Sequence, residues 1–150
     1  MELAYECTYH ALLKEPLTVG PGPFGMRIVA EVVGGQVDGP RFRGRLLTGG
    51  ADWLLVGPDG WGRLDVRGQF VTDDGAAVYV SYVGLLEMND AVQRALASGG
   101  STDFGDQYFR TTPRFETGDP RYAWLNQTCF VGEGRIIAGP GVEYRLYRVT

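Results

Sequence analysis

Along most of this chain the polar and apolar positions alternate with a period of two. Residues 2–12 set the pattern: Leu3, Tyr5, Cys7, Tyr9 and Ala11 fall on one face, and Glu2, Glu6, Thr8 and His10 on the other. Such alternation predicts a half-buried strand. Residues 17–25 (LTVGPGPFG) read as loop, because their prolines and glycines interrupt regular structure. Residues 27–33 predict a second strand, ended by Gly34-Gly35, and residues 36–47 a further extended run broken at Gly39-Pro40. In that run Arg41, Arg43 and Arg45 share a face that must be solvated or paired with acids. Residues 53–56 and 61–72 flank a Pro58-Asp59-Gly60 turn, and Asp73-Asp74-Gly75 leads into residues 76–83, apolar on both faces and therefore central.

One helix interrupts the strands. Asn89 caps it, residues 91–97 are good helix formers, and Gly99-Gly100 ends it. Two extended runs joined by a Gly118-Asp119-Pro120 turn follow within residues 108–126, and strands at 135–138 and 142–149 close the chain. Roughly nine or ten short strands with regular turns and one inserted helix predict an all-β fold. The expected architecture is an antiparallel β-barrel forming a single domain over residues 1–150.

Composition sharpens this picture in a few places. Glycine supplies 23 of 150 residues, about twice the usual ~7%, as many tight turns require. The net charge of −4 argues against a nucleic-acid partner, which needs a basic surface. No apolar run is long enough for a membrane helix, and residues 1–14 lack the pattern of a secretory leader, so a cytoplasmic protein with no membrane partner is expected. The cysteines Cys7 and Cys129 do not make a disulfide framework.

Several chemistries lack their residues. His10 is the only histidine, and three residues from Cys7 it points to the opposite face of a strand, so no metal site is expected. There is no Gly-x-Ser-x-Gly elbow, no phosphate-binding Gly-rich loop with a following Lys, and no dinucleotide fingerprint. The expectation is a protein without cofactors. What remains is carboxylate, arginine, tyrosine and amide chemistry, densest in YFRTTPRFETGDPRYAWLN at residues 108–126. Paired as a hairpin, the two runs of this stretch form one wall of a pocket, faced by Asp52 and Asp65.

In that reading Asp52 or Glu116 is a general base, and Tyr122 or Tyr108 donates a proton. Arg110 and Asn126 hold an anionic group, with Trp53 and Trp124 beside the ligand. The structural alternative is that Arg110 and Glu116 form an ion pair, Asp52 caps a turn and the aromatics fill core.

Gly49-Gly50-Ala51-Asp52-Trp53, Asp73-Asp74-Gly75-Ala76, the run at 108–126 and Val131-Gly132 together resemble the domain of unknown function 3237 family over essentially the whole chain. The resemblance implies a small antiparallel β-barrel and carries no assigned activity. The function expected is binding of a small, partly apolar or aromatic organic acid. This is either cofactor-independent acid–base catalysis of the isomerase, cyclase or lyase type, or non-catalytic carriage as in a lipocalin. A homodimer is the expected assembly.

Overall fold

A computed structural model describes all residues, 1–150. Its strands are β1 (Leu3–Leu13), β2 (Leu17–Gly22), β3 (Gly25–Asp38), β4 (Arg43–Leu46), β5 (Ala51–Val56), β6 (Trp61–Thr72), β7 (Ala77–Glu87), β8 (Phe109–Thr111), β9 (Arg114–Glu116), β10 (Phe130–Ile137) and β11 (Gly141–Val149). Between β7 and β8 lies the helix α1 (Asp90–Ser98), and a 3-10 helix spans Pro120–Gln127. No helix is long and apolar enough to cross a membrane.

Eight strands close a ring in the order β1-β3-β5-β6-β7-β8-β10-β11, with β11 returning to β1 and every pairing antiparallel. The other three are additions. β2 pairs only with β3, while β4 replaces β5 between β3 and β6 at one end, and β9 replaces β8 beside β7 at the same end. The all-β barrel is thus as expected, with eleven strands in place of nine or ten.

Four local readings change. Residues 17–22, read as loop, form an edge strand; Pro21 is tolerated because only one side of β2 is paired. β3 runs through Gly34-Gly35 without stopping, since Gly35 adopts φ +138° where a side chain would strike the His10 carbonyl. Glu6, placed by strict alternation on the polar face, is fully buried: a β-bulge between Tyr5 and Cys7 shifts the register and leaves Glu6 as the extra residue. The run at 121–126 is helical, so 108–126 is not a hairpin. Asp119 caps the 3-10 helix by accepting from the Arg121 N–H, with Pro120 at its first position. Helix α1 matches its sequence signals: the Asn89 side chain accepts from the Val92 N–H, and Gly99 closes it in the left-handed region.

The barrel interior divides into two halves. At the β4/β9 end it is filled by Phe42, Phe70, Phe115, Phe130 and Trp124, with ring centroids as close as 5.0 Å between Phe115 and Phe130. Above them Tyr9, Tyr82 and Tyr144 cross the barrel, Tyr82 and Tyr144 meeting edge to face at 5.5 Å. Beyond these tyrosines, at the β5/β8 end, the interior is open.

Candidate functional site

The open half is a cavity of about 800 Å³, floored by Tyr82 and Tyr144 and walled by aliphatic side chains such as Val32, Leu54, Leu64 and Ile136. Its rim is made by Glu15 and Thr18 on one side and by Leu96 at the end of α1 on the other. One acidic side chain reaches its interior, that of Asp52, and no arginine, lysine or histidine lines it.

Backbone geometry delivers Asp52 there. Gly49 and Gly50 take φ +105° and +75°, and a side chain on Gly50 would meet the Arg67 carbonyl. The Gly49 N–H donates to the Val32 carbonyl and the Val32 N–H to the Gly50 carbonyl, so this turn pins the start of β5 against β3. The strand register then sets Ala30, Asp52, Val66 and Tyr82 side by side across β3, β5, β6 and β7. With the alternation of each strand fixed, all four face inward along one row. On the far wall Gly134 admits the floor, because a Cβ there would lie 2.7 Å from the Phe109 ring and 2.8 Å from that of Tyr144. Gly134→Ala is expected to destabilise the fold by about 1–3 kcal/mol through overpacking. Urea unfolding checks this, and an unchanged midpoint would mean that the two rings yield.

The electrostatics of the row follow from its dryness. Burial raises the pKa of Asp52 from 3.8 to about 7; the neighbouring Asp65 carboxylate adds to this, against the Asp65 N–H, which donates to Asp52 Oδ1 at 3.1 Å, and the charge of Arg27. Burial also pushes the Tyr82 and Tyr144 phenols well above their ordinary value, and the Asp52 carboxylate pushes both further the same way. At neutral pH the site therefore holds a carboxyl group balanced between its two forms beside two neutral phenols. Such a pair can take a proton from one atom of a ligand while donating hydrogen bonds to another.

Of the residues singled out in sequence, Asp52 alone lines this cavity. Trp53, its neighbour in the strand, points outward; Arg67 lies 5.7 Å over its ring, and its carbonyl accepts from Arg27. Asp65 is outward too, 3.6 Å from Arg67. Tyr108 packs against Trp61 on the outer surface, and Arg110 sits over Tyr108, donating to the Phe109 carbonyl. Tyr122 donates to both oxygens of Asp74 at 2.9 and 2.8 Å, and Trp124 lies 3.6 Å beneath the Arg41 guanidinium at the filled end. Asn126 is spent on Thr117, accepting from its N–H and donating to its carbonyl, while Glu116 and Asn126 border an open groove outside the filled end.

The wall expected from residues 108–126 is therefore not assembled. β8 and β9 present Arg110 and Glu116 to the outside because Phe109, Thr111 and Phe115 take the inward positions. The residues missed were Tyr82 and Tyr144. Their one sequence signal was tyrosine at an inward-phase position, in a largely apolar strand for Tyr82 and between Glu143 and Arg145 for Tyr144.

The model of the family described as "Protein of unknown function (DUF3237)" matches residues 1–149. A UPF0311 protein of Rhodopseudomonas palustris is 39% identical over 132 residues, 88% of this chain and 86% of that protein. Two solved structures share the fold across nearly all of both chains. One, a conserved protein of unknown function from Rhodopseudomonas palustris, has a TM-score of 0.92 at 36% identity and covers 99% of this chain and 97% of its own. The other, a β-barrel-like protein from Acinetobacter baumannii, has a TM-score of 0.83 at 32% identity, covering 99% and 96%. Among fungal proteins, "PR-toxin biosynthesis cluster protein 7" of Penicillium roqueforti is 30% identical over 125 residues, 80% of this chain and 63% of that protein. An enzyme from Penicillium herquei shares the fold at 18% identity, with a TM-score of 0.65 over 97% of this chain and 96% of its own.

Proposed function

The chain belongs to the DUF3237 family, and from the geometry of its cavity we propose that it is a cofactor-independent acid–base enzyme acting on a small, largely apolar molecule. The observation that carries this reading is Asp52, a carboxylate brought by β5 into an otherwise aliphatic chamber, with its pKa raised to about 7. A general base works best when its pKa lies near the operating pH. A desolvated carboxylate destabilises the fold it sits in, a cost that proton transfer accounts for more directly than carriage does.

In the proposed reaction the Asp52 carboxylate accepts a proton from an acidic C–H or O–H of the ligand. The electron pair left behind moves onto a ligand oxygen, which accepts hydrogen bonds from the Tyr82 and Tyr144 phenols. Burial keeps both phenols protonated, so they serve as donors and not as bases. Protonated Asp52 then returns the proton to a different ligand atom, which completes an isomerisation, a ring closure or an elimination. The 30% identity to a protein of a toxin-biosynthesis cluster supports small-molecule chemistry of this kind.

Proton exchange tests the reading without the natural substrate. In D2O, the wild-type protein is expected to speed deuterium incorporation next to the carbonyl of 2-tetralone, an apolar enolisable ketone. Asp52→Asn is expected to slow that exchange by about 10²–10⁴-fold. The wild-type rate is expected to rise with pH through about 7, as the carboxyl group becomes a base. Exchange no faster with the wild type than with the Asn variant leaves the carrier reading in its place.

A further inference from the structure

We propose that the ligand of this cavity is an uncharged molecule whose buried end carries a hydroxyl or carbonyl group, and that anions of the same shape are rejected. The inference rests on the cavity being the functional site, and it replaces the organic acid expected from sequence with a neutral one.

The charge inventory of the cavity carries the argument. Its interior offers Asp52, Tyr82 and Tyr144 as polar side chains, and its rim adds the exposed Glu15 and Thr18. No cation faces inward from any strand or from α1. An anionic ligand would leave water for aliphatic walls with no counter-charge, and would meet a carboxyl group that ionises near neutral pH. Arg27, the arginine whose charge acts on Asp52, is bonded to the Trp53 carbonyl. Arg110, the natural holder of an anion in the sequence, is fixed on the outer surface beside Tyr108.

A cationic ligand would find one charged acceptor, Asp52, and only neutral phenol oxygens for its remaining N–H donors. A hydroxyl or carbonyl group finds a complete set. The protonated Asp52 and the two phenols donate, and the ionised Asp52 accepts. The polar atoms lie in the floor row, so the ligand enters with its polar end first. Its apolar body then lies against Val32, Leu54 and Leu64, beneath the rim at Leu96.

The pH dependence of affinity reads the ligand's charge directly. The groups facing Asp52 are Tyr82 from β7 and Tyr144 from β11 inside the barrel, and Asp65 from β6 and Arg27 from β3 on its outer side. Burial holds both phenols well above their ordinary value, so they stay neutral across neutral pH, where Asp52 changes charge. Binding of an anion must weaken as Asp52 ionises, binding of a cation must tighten, and binding of a neutral alcohol changes little.

The test uses three molecules of one shape: 2-naphthalenemethanol, 2-naphthoate and 2-naphthylmethylammonium. Each is titrated by calorimetry into the wild type and Asp52→Asn at pH 6 and pH 8. The alcohol is expected to bind the wild type at pH 8 at least about tenfold more tightly than naphthoate, about 1.4 kcal/mol. That gap is expected to narrow at pH 6 and in the Asn variant. Naphthoate binding as tightly as the alcohol overturns the proposal. So does an ammonium ion that binds more tightly than the alcohol and loses that advantage in the variant, and so does an alcohol that fails to bind at millimolar concentration. The outcome is independent of the exchange experiment, because a cavity selective for amines still exchanges ketone protons through Asp52. A charge-selective cavity that exchanges none is a carrier for neutral molecules.

Discussion

Replacing Glu6 with alanine is expected to destabilise the barrel by about 3 kcal/mol, the lower end of the range for breaking a buried ion pair. Glu6 is fully buried at the β1 bulge, where Arg41 donates to its two oxygens at 2.8 and 2.5 Å and Arg148 donates at 3.1 Å. The lower end applies because both arginines stay partly exposed, at 43% and 35%, and water can solvate them once the carboxylate is gone. Position matters as much as charge. Arg41 stacks on Trp124 and Arg148 lies in β11, so Glu6 ties together the β4 approach, the 3-10 helix and the β1–β11 seam. Burial alone would raise the Glu6 pKa, but the hydrogen bonds and charges of Arg41 and Arg148 outweigh it and hold the group below its ordinary 4.5. Its contribution is therefore complete above about pH 4.5 and is lost as pH falls through the lower folded value. Urea unfolding between pH 3 and 7 should show an acid slope in the wild type that is reduced in Glu6→Gln. An Ala variant within about 0.5 kcal/mol of wild type would reduce the cluster to a surface ion pair.

Glu6 also marks where the sequence stops being legible. Alternation identified the strand and the buried face holding Cys7, Tyr9 and Ala11, because each of those residues obeys the period of two. A bulge inserts one residue into that period and announces itself by no residue type, so an acid that looked solvent-facing is in the core. The same holds for residues 108–126. Aromatics alternating with charges fit a strand, but Asp119 and Pro120 start a helical turn, and the segment then packs as a cap on the filled end. Helix α1 was legible because caps act locally, through Asn89 and Gly99. Asp52 was legible for a related reason: the two glycines before it are needed by the backbone at that point. Its phenolic partners were not legible. Asp52 meets Tyr82 only through the register of two strand pairs and Tyr144 only through closure of the barrel, and neither is written in any one segment.

Asp52→Asn is expected to make the protein more stable above pH 7 while removing its proposed chemistry. The sign follows from proton binding. With a folded pKa of about 7 against 3.8 in the ordinary state, folded Asp52 holds more protons than the unfolded chain between those values. Stability therefore falls as pH rises across that window, and the full penalty is present above pH 7. About three pH units at ~1.4 kcal/mol each set a ceiling near 4 kcal/mol. Asp52 keeps some solvent access through the cavity, and an asparagine there remains a polar group among aliphatic ones. Both reduce the gain, to about 2 kcal/mol at pH 8. Denaturant unfolding of the two proteins at pH 4 and pH 8 measures it: the curves should nearly coincide at pH 4 and separate at pH 8, the variant being the more stable. Equal stability at both values would mean that Asp52 ionises like a surface carboxylate and is no base at pH 7. The predicted separation would identify the group as one kept in place against the interest of the fold, the pattern expected where a residue is retained for what it does to a ligand.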